Sequence, residues 1–308
     1  MRELSCFREA AVCAASPASV SGTGGLDRSL QAATTSVYRA QLASGKGILI
    51  RVTWTRSSAA AAGIAAIAFS DQGSSVLFSS PSSSSARAQQ HVLRRKRGSR
   101  GFVTGAGTAM GVHWDVAAAE YASAPSSPEP SGGDYCLAVV ADAELVLLLG
   151  SGDLACRLSS SLSTATTLVS RREQLRSTAA AVIHATQCRF REGGEEHSVS
   201  VRVTAEGEGE VGVSIDGEEV AVARQLRWGF RGNRAAVLPD GEVVDVMWDV
   251  HDWWFGCRGG DGKGAQFMVR ARSEKEGRLW MADQTAPAAT EVVGTGGGFF
   301  LHVQCYRR

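Results

Sequence analysis

From Thr34 onward the chain is written in short runs of β-branched and aromatic residues broken by turn residues. VYRAQL, GILIRVTW, IAAIAFSD, MGVHWDV, YCLAVVAD and ELVLLLG fill the first half, and VIHATQCRF, SVSVRVT, VGVSIDG, EVAVARQLRW, EVVDVMWDV, AQFMVRAR and FFLHVQCY the second. Most have strand length, and several alternate with period two: Val199, Val201 and Val203 share one face, and Ser200, Arg202 and Thr204 the other. The same geometry turns Val112, Trp114 and Val116 toward a core, as it does Val246, Trp248 and Val250, while His113, Asp115, Met247 and Asp249 face away. The pattern predicts an all-β, mainly antiparallel sandwich or barrel of roughly ten to twelve strands, with at most one or two short helices.

The breaks are as informative as the runs. Residues 1–30 are small, polar and Gly-rich and read as a flexible leader. Ser79 to Ala88, Ala122 to Asp134 and Arg258 to Gly264 read as surface loops. Between Asp153 and about Arg176 the periodicity weakens, which suits one helix or an ordered connector.

One phrase is written twice. Arg97-Gly98-Ser99-Arg100 leads to Val112-His113-Trp114-Asp115-Val116, and Arg231-Gly232-Asn233-Arg234 leads to Val246-Met247-Trp248-Asp249-Val250. The offset is constant, since 231 − 97 and 248 − 114 both give 134. Nine of the twenty positions in 97–116 match 231–250, where composition alone gives about one or two. IRVTW facing VRVTA, and AFSD facing VSID, extend the likeness upstream with changed loop lengths. The expectation is a single β domain over 31–308 built of two repeats, about 34–152 and 178–308, related by a pseudo-twofold axis. Each repeat would be one sheet, and the two would bury their apolar faces against each other.

Composition narrows the partners. A net charge of +1 and a pI near 7.6 give no global field toward nucleic acid or lipid, which makes a nucleic-acid partner unfavoured. The 28 arginines beside four lysines look like a coding bias rather than a phosphate surface. Seven scattered cysteines with no C-x-x-C pair point to reduced thiols. No run approaches the ~18 apolar residues of a membrane helix, and no signal-peptide core is evident in MRELSCFREAAVCAASPASVSG. The expected location is cytoplasmic or nuclear.

VTW at Val52 to Trp54, VHWDV, YCLAVVADAELVLLLG, LVSRREQ, VSIDGEEVAVARQLRWGFRGNR and VVDVMWDVHDWWF resemble the plant domain-of-unknown-function 868 family, as does the opening MRELSCF. The resemblance covers most of the chain and implies an uncharacterised plant protein. It carries over no activity, ligand or catalytic residue. The first repeat's VLRRKRGSR lacks the aromatic residues expected beside that turn.

Two constellations could carry function. Arg94, Arg95, Lys96, Arg97 and Arg100 form a basic run that fits a solvated hairpin, a nuclear import signal or a phosphate contact. Trp228, Phe230, Trp248, His251, Trp253, Trp254 and Phe255 concentrate aromatics at a strand end and could bind an apolar or sugar-like ligand, or close the end of the fold. Arg97, Gly98, Arg100, Trp114, Asp115, Arg231, Gly232, Arg234, Trp248 and Asp249 read as the structural repeat. Asp245, Asp249 and His251 share a strand face but lack a cysteine or second histidine at ligand spacing, so no metal and no cofactor is expected. Gly207 to Gly212 matches G-x-G-x-x-G but carries two glutamates and precedes a strand, so it reads as a hairpin turn. There is no G-x-S-x-G or H-E-x-x-H. The chain reads as a non-enzymatic binding module for a protein partner or a small apolar or sugar-like ligand. The alternatives are an enzyme with a site inside a duplicated barrel and a nuclear nucleic-acid-associated protein.

Overall fold

The computed structural model describes residues 30–56, 63–71, 91–122, 127–150, 166–177, 181–256, 264–272 and 298–307, together with helical positions Asp153, Ala155 and Arg157. All of the leader but Leu30, which opens the first strand, the Ser79 to Ala88 tract and most of the Arg258 to Gly264 insert lie outside the described residues.

The first half runs as β1 (Leu30–Gln41), β2 (Gly47–Arg56), β3 (Gly63–Asp71), β4 (His91–Leu93), β5 (Arg97–Val103), β6 (Ala109–Tyr121), β7 (Pro130–Ala141) and β8 (Glu144–Gly150). β9 (Thr166–Ser177) follows. The second half runs as β10 (Ala181–Cys188), β11 (His197–Thr204), β12 (Glu210–Ile215), β13 (Glu218–Arg224), β14 (Arg231–Val237), β15 (Val243–Asp249), β16 (Gly264–Ala271) and β17 (Phe300–Arg307). Helix α1 (Leu226–Gly229) precedes β14, and α2 (His251–Phe255) follows β15. The fold is strand-rich and mostly antiparallel. Its seventeen described strands exceed the number the apolar runs announced, because β4, β5, β9 and β14 carry little apolar alternation.

One nine-stranded sheet, ordered β14-β15-β16-β17-β9-β1-β2-β3-β4, spans both halves with β9 in the middle. β10 to β13 and β5 to β8 form two separate four-stranded sheets. β9 pairs antiparallel with β1 and parallel with β17.

Each half hides its apolar residues within itself. In the first, Ile48, Ile50, Val52, Trp54 and Ile67 of the large sheet meet Met110, Val112, Leu137, Val139 and Leu147 of the β5 to β8 sheet. In the second, Val244, Val246, Phe267, Val269, Leu301 and Val303 meet Val199, Val201, Val203, Val211, Val213 and Ile215. This differs from the expected packing of one half's sheet against the other's. The chain passes from the large sheet to a small one between β4 and β5, returns for β9, leaves again for β10 to β13, and returns at β14. Each half therefore makes both layers of its own sandwich, and backbone pairing through β9 joins the halves. The expected loop from Ala122 to Asp134 is shorter than predicted, because Pro130 to Asp134 already belong to β7.

β9 joins the halves with few apolar side chains. Alternation sends Leu175 into the second core, while on the same face Arg171 meets Glu129, just before β7, and Glu173 meets His184 and Thr186 of β10.

Candidate functional site

The repeated phrase folds into the same clamp twice. Gly98 lies opposite Trp114 and Arg97 opposite Asp115, just as Gly232 lies opposite Trp248 and Arg231 opposite Asp249. Each indole N–H donates to a backbone oxygen nineteen residues earlier: Trp114 to Arg95 at 2.8 Å and Trp248 to Gly229 at 3.0 Å. Each arginine Nε sits 2.8 Å from its aspartate, and each aspartate accepts a backbone N–H two residues on, from Ala117 and His251, at 3.0 Å. The Val116 N–H donates to the Lys96 carbonyl and the Val250 N–H to the Phe230 carbonyl, both at 2.8 Å. The glycines are required because the indole covers them. A Cβ on Gly98 would lie 2.6 Å from Trp114 Cζ2, and one on Gly232 would meet Trp248 closer still. Arg100 and Arg234 stand exposed two residues beyond each glycine.

The aromatic constellation divides into a buried and an open part. Trp253 is buried in the second core, and Trp248 and Trp254 pack against it. Trp254 also lies across Gly209, a glycine at φ +74° in the turn before β12, where Gly207 likewise has positive φ. Trp228 is 79 % exposed and Phe255 48 %. Phe230, His251 and Phe255 form a ring cluster with centroids 5.2 to 5.6 Å apart. Arg231 lies over Phe230 at 5.6 Å, and Arg227 over Trp228 at 5.9 Å. HDWWF is helix α2 rather than a continuation of the strand, so His251 leaves the face that Asp245 and Asp249 occupy. Asp249 instead binds Arg231 and the His251 N–H, and Asp245 binds Arg272. Among the described residues, no group of three His, Cys, Asp or Glu side chains is placed to hold a metal ion.

The basic run occupies the corner between β4 and β5. Arg94, Arg95, Lys96 and Arg97 are all exposed there, Arg97 being paired with Asp115. With the offset of 134, Arg94 and Lys96 stand where the second half has Trp228 and Phe230.

A second polar feature, unread in the sequence, is the seam around β9. Arg171 reaches Glu129 through both terminal nitrogens, at 3.2 and 2.6 Å, and Glu173 through Nε at 2.7 Å. Glu173, 1 % exposed, also accepts from Thr186 at 2.8 Å and lies 2.6 Å from His184 Nε2, which donates when the carboxylate is ionised. Burial would raise the Glu173 carboxyl, but the His184 hydrogen bond and the Arg171 charge overcome it and hold it at about 2. Nearby, burial and then the Glu129 charge push the Tyr38 phenol up to about 12. Both Glu173 oxygens are engaged, so the group is a closed joint rather than an open site. Arg171 and Glu173, two residues apart on one strand face, were the available signal.

His197 forms a third polar contact, with Nδ1 2.7 Å from Asp216 and Nε2 3.4 Å from Asp240. It ties the start of β11 to the β12–β13 and β14–β15 turns. Among the described residues Cys136, Cys188 and Cys305 are buried cysteines.

The comparison with family models decides the relationship. A model described as plant protein of unknown function (DUF868) matches residues 29–304. The chain belongs to this DUF868 family. The match includes both clamps, the β9 seam and the aromatic end. Searches of curated proteins and of solved structures return no match. Among the described residues no helix is long and apolar enough to cross a membrane.

Proposed function

We propose that this DUF868 chain is a non-enzymatic binding module, one β domain of two repeats, that recognises a protein partner inside the cell. Its recognition surface is the open aromatic end of the second half: Trp228, Phe230, His251 and Phe255, with Arg227 and Arg231 beside them. The observation that carries this reading is the 79 % exposure of Trp228 beside the edge strand β14. A large aromatic so placed contributes nothing to the core, yet aromatic and arginine side chains supply most of the energy at protein interfaces. The closed hydrogen bonding of the Glu129–Arg171–Glu173–His184 seam argues for a structural role there and against catalysis.

The test starts from a partner captured on the full chain, identified, and titrated by calorimetry against purified protein. The Trp228→Ala/Phe255→Ala variant should weaken that defined complex at least about tenfold, while Arg94→Ala/Lys96→Ala should leave it intact. Equal binding by the aromatic variant, or turnover of a substrate by the purified chain, would overturn the reading. Exposure of Arg94, Arg95, Lys96 and Arg97 supports a second reading, nuclear import through this corner. Nuclear accumulation unchanged after alanine replacement of all four would remove it.

A further inference from the structure

The outer edge of β14 offers more than an aromatic anchor. β14 ends the nine-stranded sheet, and β15 is its one described neighbour. The Val250 N–H donates to the Phe230 carbonyl, and the Leu238 N–H to the Glu242 carbonyl. Both pairs belong to the register that aligns Arg231 with Asp249. Hydrogen-bonded pairs alternate along an antiparallel ladder. Residues 232, 234 and 236 therefore bond toward β15, and the N–H and C=O groups of Arg231, Asn233, Ala235 and Val237 point outward.

This row of outward groups is bracketed by apolar surface. Trp228 stands before it, and Val237, 72 % exposed, closes it. The seven residues of β14 span about 23 Å at strand rise. Arg227 and Arg234 are exposed with no carboxylate partner among the described residues, whereas Arg231 is matched by Asp249. Unpaired cations and apolar ends along an open strand edge complement an extended chain that alternates acidic and apolar side chains.

We propose that β14 is the acceptor edge for an extended acidic segment of a partner protein, which adds to the large sheet as a tenth strand beside Arg231 to Val237. This rests on the recognition surface proposed above and names what that surface receives. The first half provides an internal control. The Val116 N–H bond to Lys96 and the Thr104 N–H bond to Thr108 set the same alternation on β5, leaving Arg97, Ser99, Gly101 and Val103 outward. Val103 is 74 % exposed, like its counterpart Val237, but β5 has no aromatic anchor at its start.

The probe is a fluorescein-labelled peptide of alternating valine and glutamate, long enough to line β14 at about ten residues, titrated into the full chain by anisotropy. Ala235→Pro removes one outward N–H and no bond to β15, and edge strands accept proline. It should weaken the peptide at least about tenfold, with Gly101→Pro in β5 changing it by less than about twofold. Arg227→Glu/Arg234→Glu should weaken it similarly, and a valine–lysine peptide should not bind. In the free chain the Asn233 and Ala235 amides should exchange rapidly with solvent, and the peptide should protect them.

Absence of binding, equal binding of the lysine peptide, or indifference to Ala235→Pro would overturn the strand-pairing proposal. So would a dimer of the chain lost in Ala235→Pro, which would assign the edge to a second copy. If the natural partner is lost with Trp228→Ala/Phe255→Ala but kept with Ala235→Pro, the surface stands and strand addition falls. If it survives both, both fall.

Discussion

The β5–β6 hairpin and the β14–β15 hairpin hold the same glycine under the same indole, the same arginine against the same aspartate, and the same N–H bond from the indole to the chain before it. Around that frame they diverge. The first has Arg94 and Lys96 at its approach, and β6 runs on to Tyr121. The second has Trp228 and Phe230, and β15 stops at Asp249 to turn into α2. What the two share is explained by packing. Part of what differs also packs, since Trp253 is buried in the second core and Phe230 lies against it, but Trp228 and Phe255 are exposed and unexplained by packing, which is where recognition is to be sought.

The strongest way to break the comparison is to remove the indoles. Trp114→Ala, which empties a site 9 % exposed, should cost about 3–5 kcal/mol in urea unfolding, with Trp248→Ala at the lower end because its ring is less buried. A loss confined to one of the two would show that the clamps are not equivalent.

Next in size is an asymmetry in titration. The buried histidines among the described residues, His184, His197 and His302, all fall in the second half. Burial, then the nearby Arg172 charge, lower His302 from 6.5 to about 4. Protons therefore bind the unfolded chain first, so stability should be full above pH 6.5 and fall as pH drops toward 4. The loss should be on the order of 3 kcal/mol at most. Denaturation midpoints from pH 7 to pH 4 check this, and His302→Gln should flatten the slope. His197 acts the other way. Burial lowers it, but the Asp216 hydrogen bond and the Asp216 and Asp240 charges outweigh that and raise it. Its contribution is present below about pH 6.5 and is lost as pH rises through its folded value.

Smaller effects sharpen the picture. Gly98→Ala and Gly232→Ala should each cost about 1–3 kcal/mol by overpacking, Gly232 the more because its Trp248 ring lies closer. Asp115→Asn and Asp249→Asn should each change stability by less than about 1 kcal/mol, since the paired arginines are largely exposed.

Most of the fold was legible because buried strands on a half-wet sheet write period two. Val199, Val201 and Val203 are buried as their alternation required, and Trp114 faces the core while His113 is exposed. The repeat exposed the clamps because glycine, tryptophan, arginine and aspartate each answer a geometric need that composition does not imitate. β9 was missed, although it joins the halves, because Arg171 and Glu173 interrupt the inward face they share with Leu175, and their burial is satisfied by ions rather than hydrocarbon. Which sheets face each other was not legible for a related reason: apolar faces in a sequence do not name the layer that covers them. Within the aromatic end, the composition of HDWWF pointed to the place, but only the turn after Asp249 separates buried Trp253 from open Phe255.

The most direct test gives the second half the first half's residue. In Trp228→Arg, the variant matching Arg94, the melting temperature and the calorimetric affinity for the defined partner are measured on one preparation. The account predicts a melting point within a few degrees of the parent and an affinity at least about tenfold weaker. Undiminished affinity, or a fold that collapses along with binding, would contradict it.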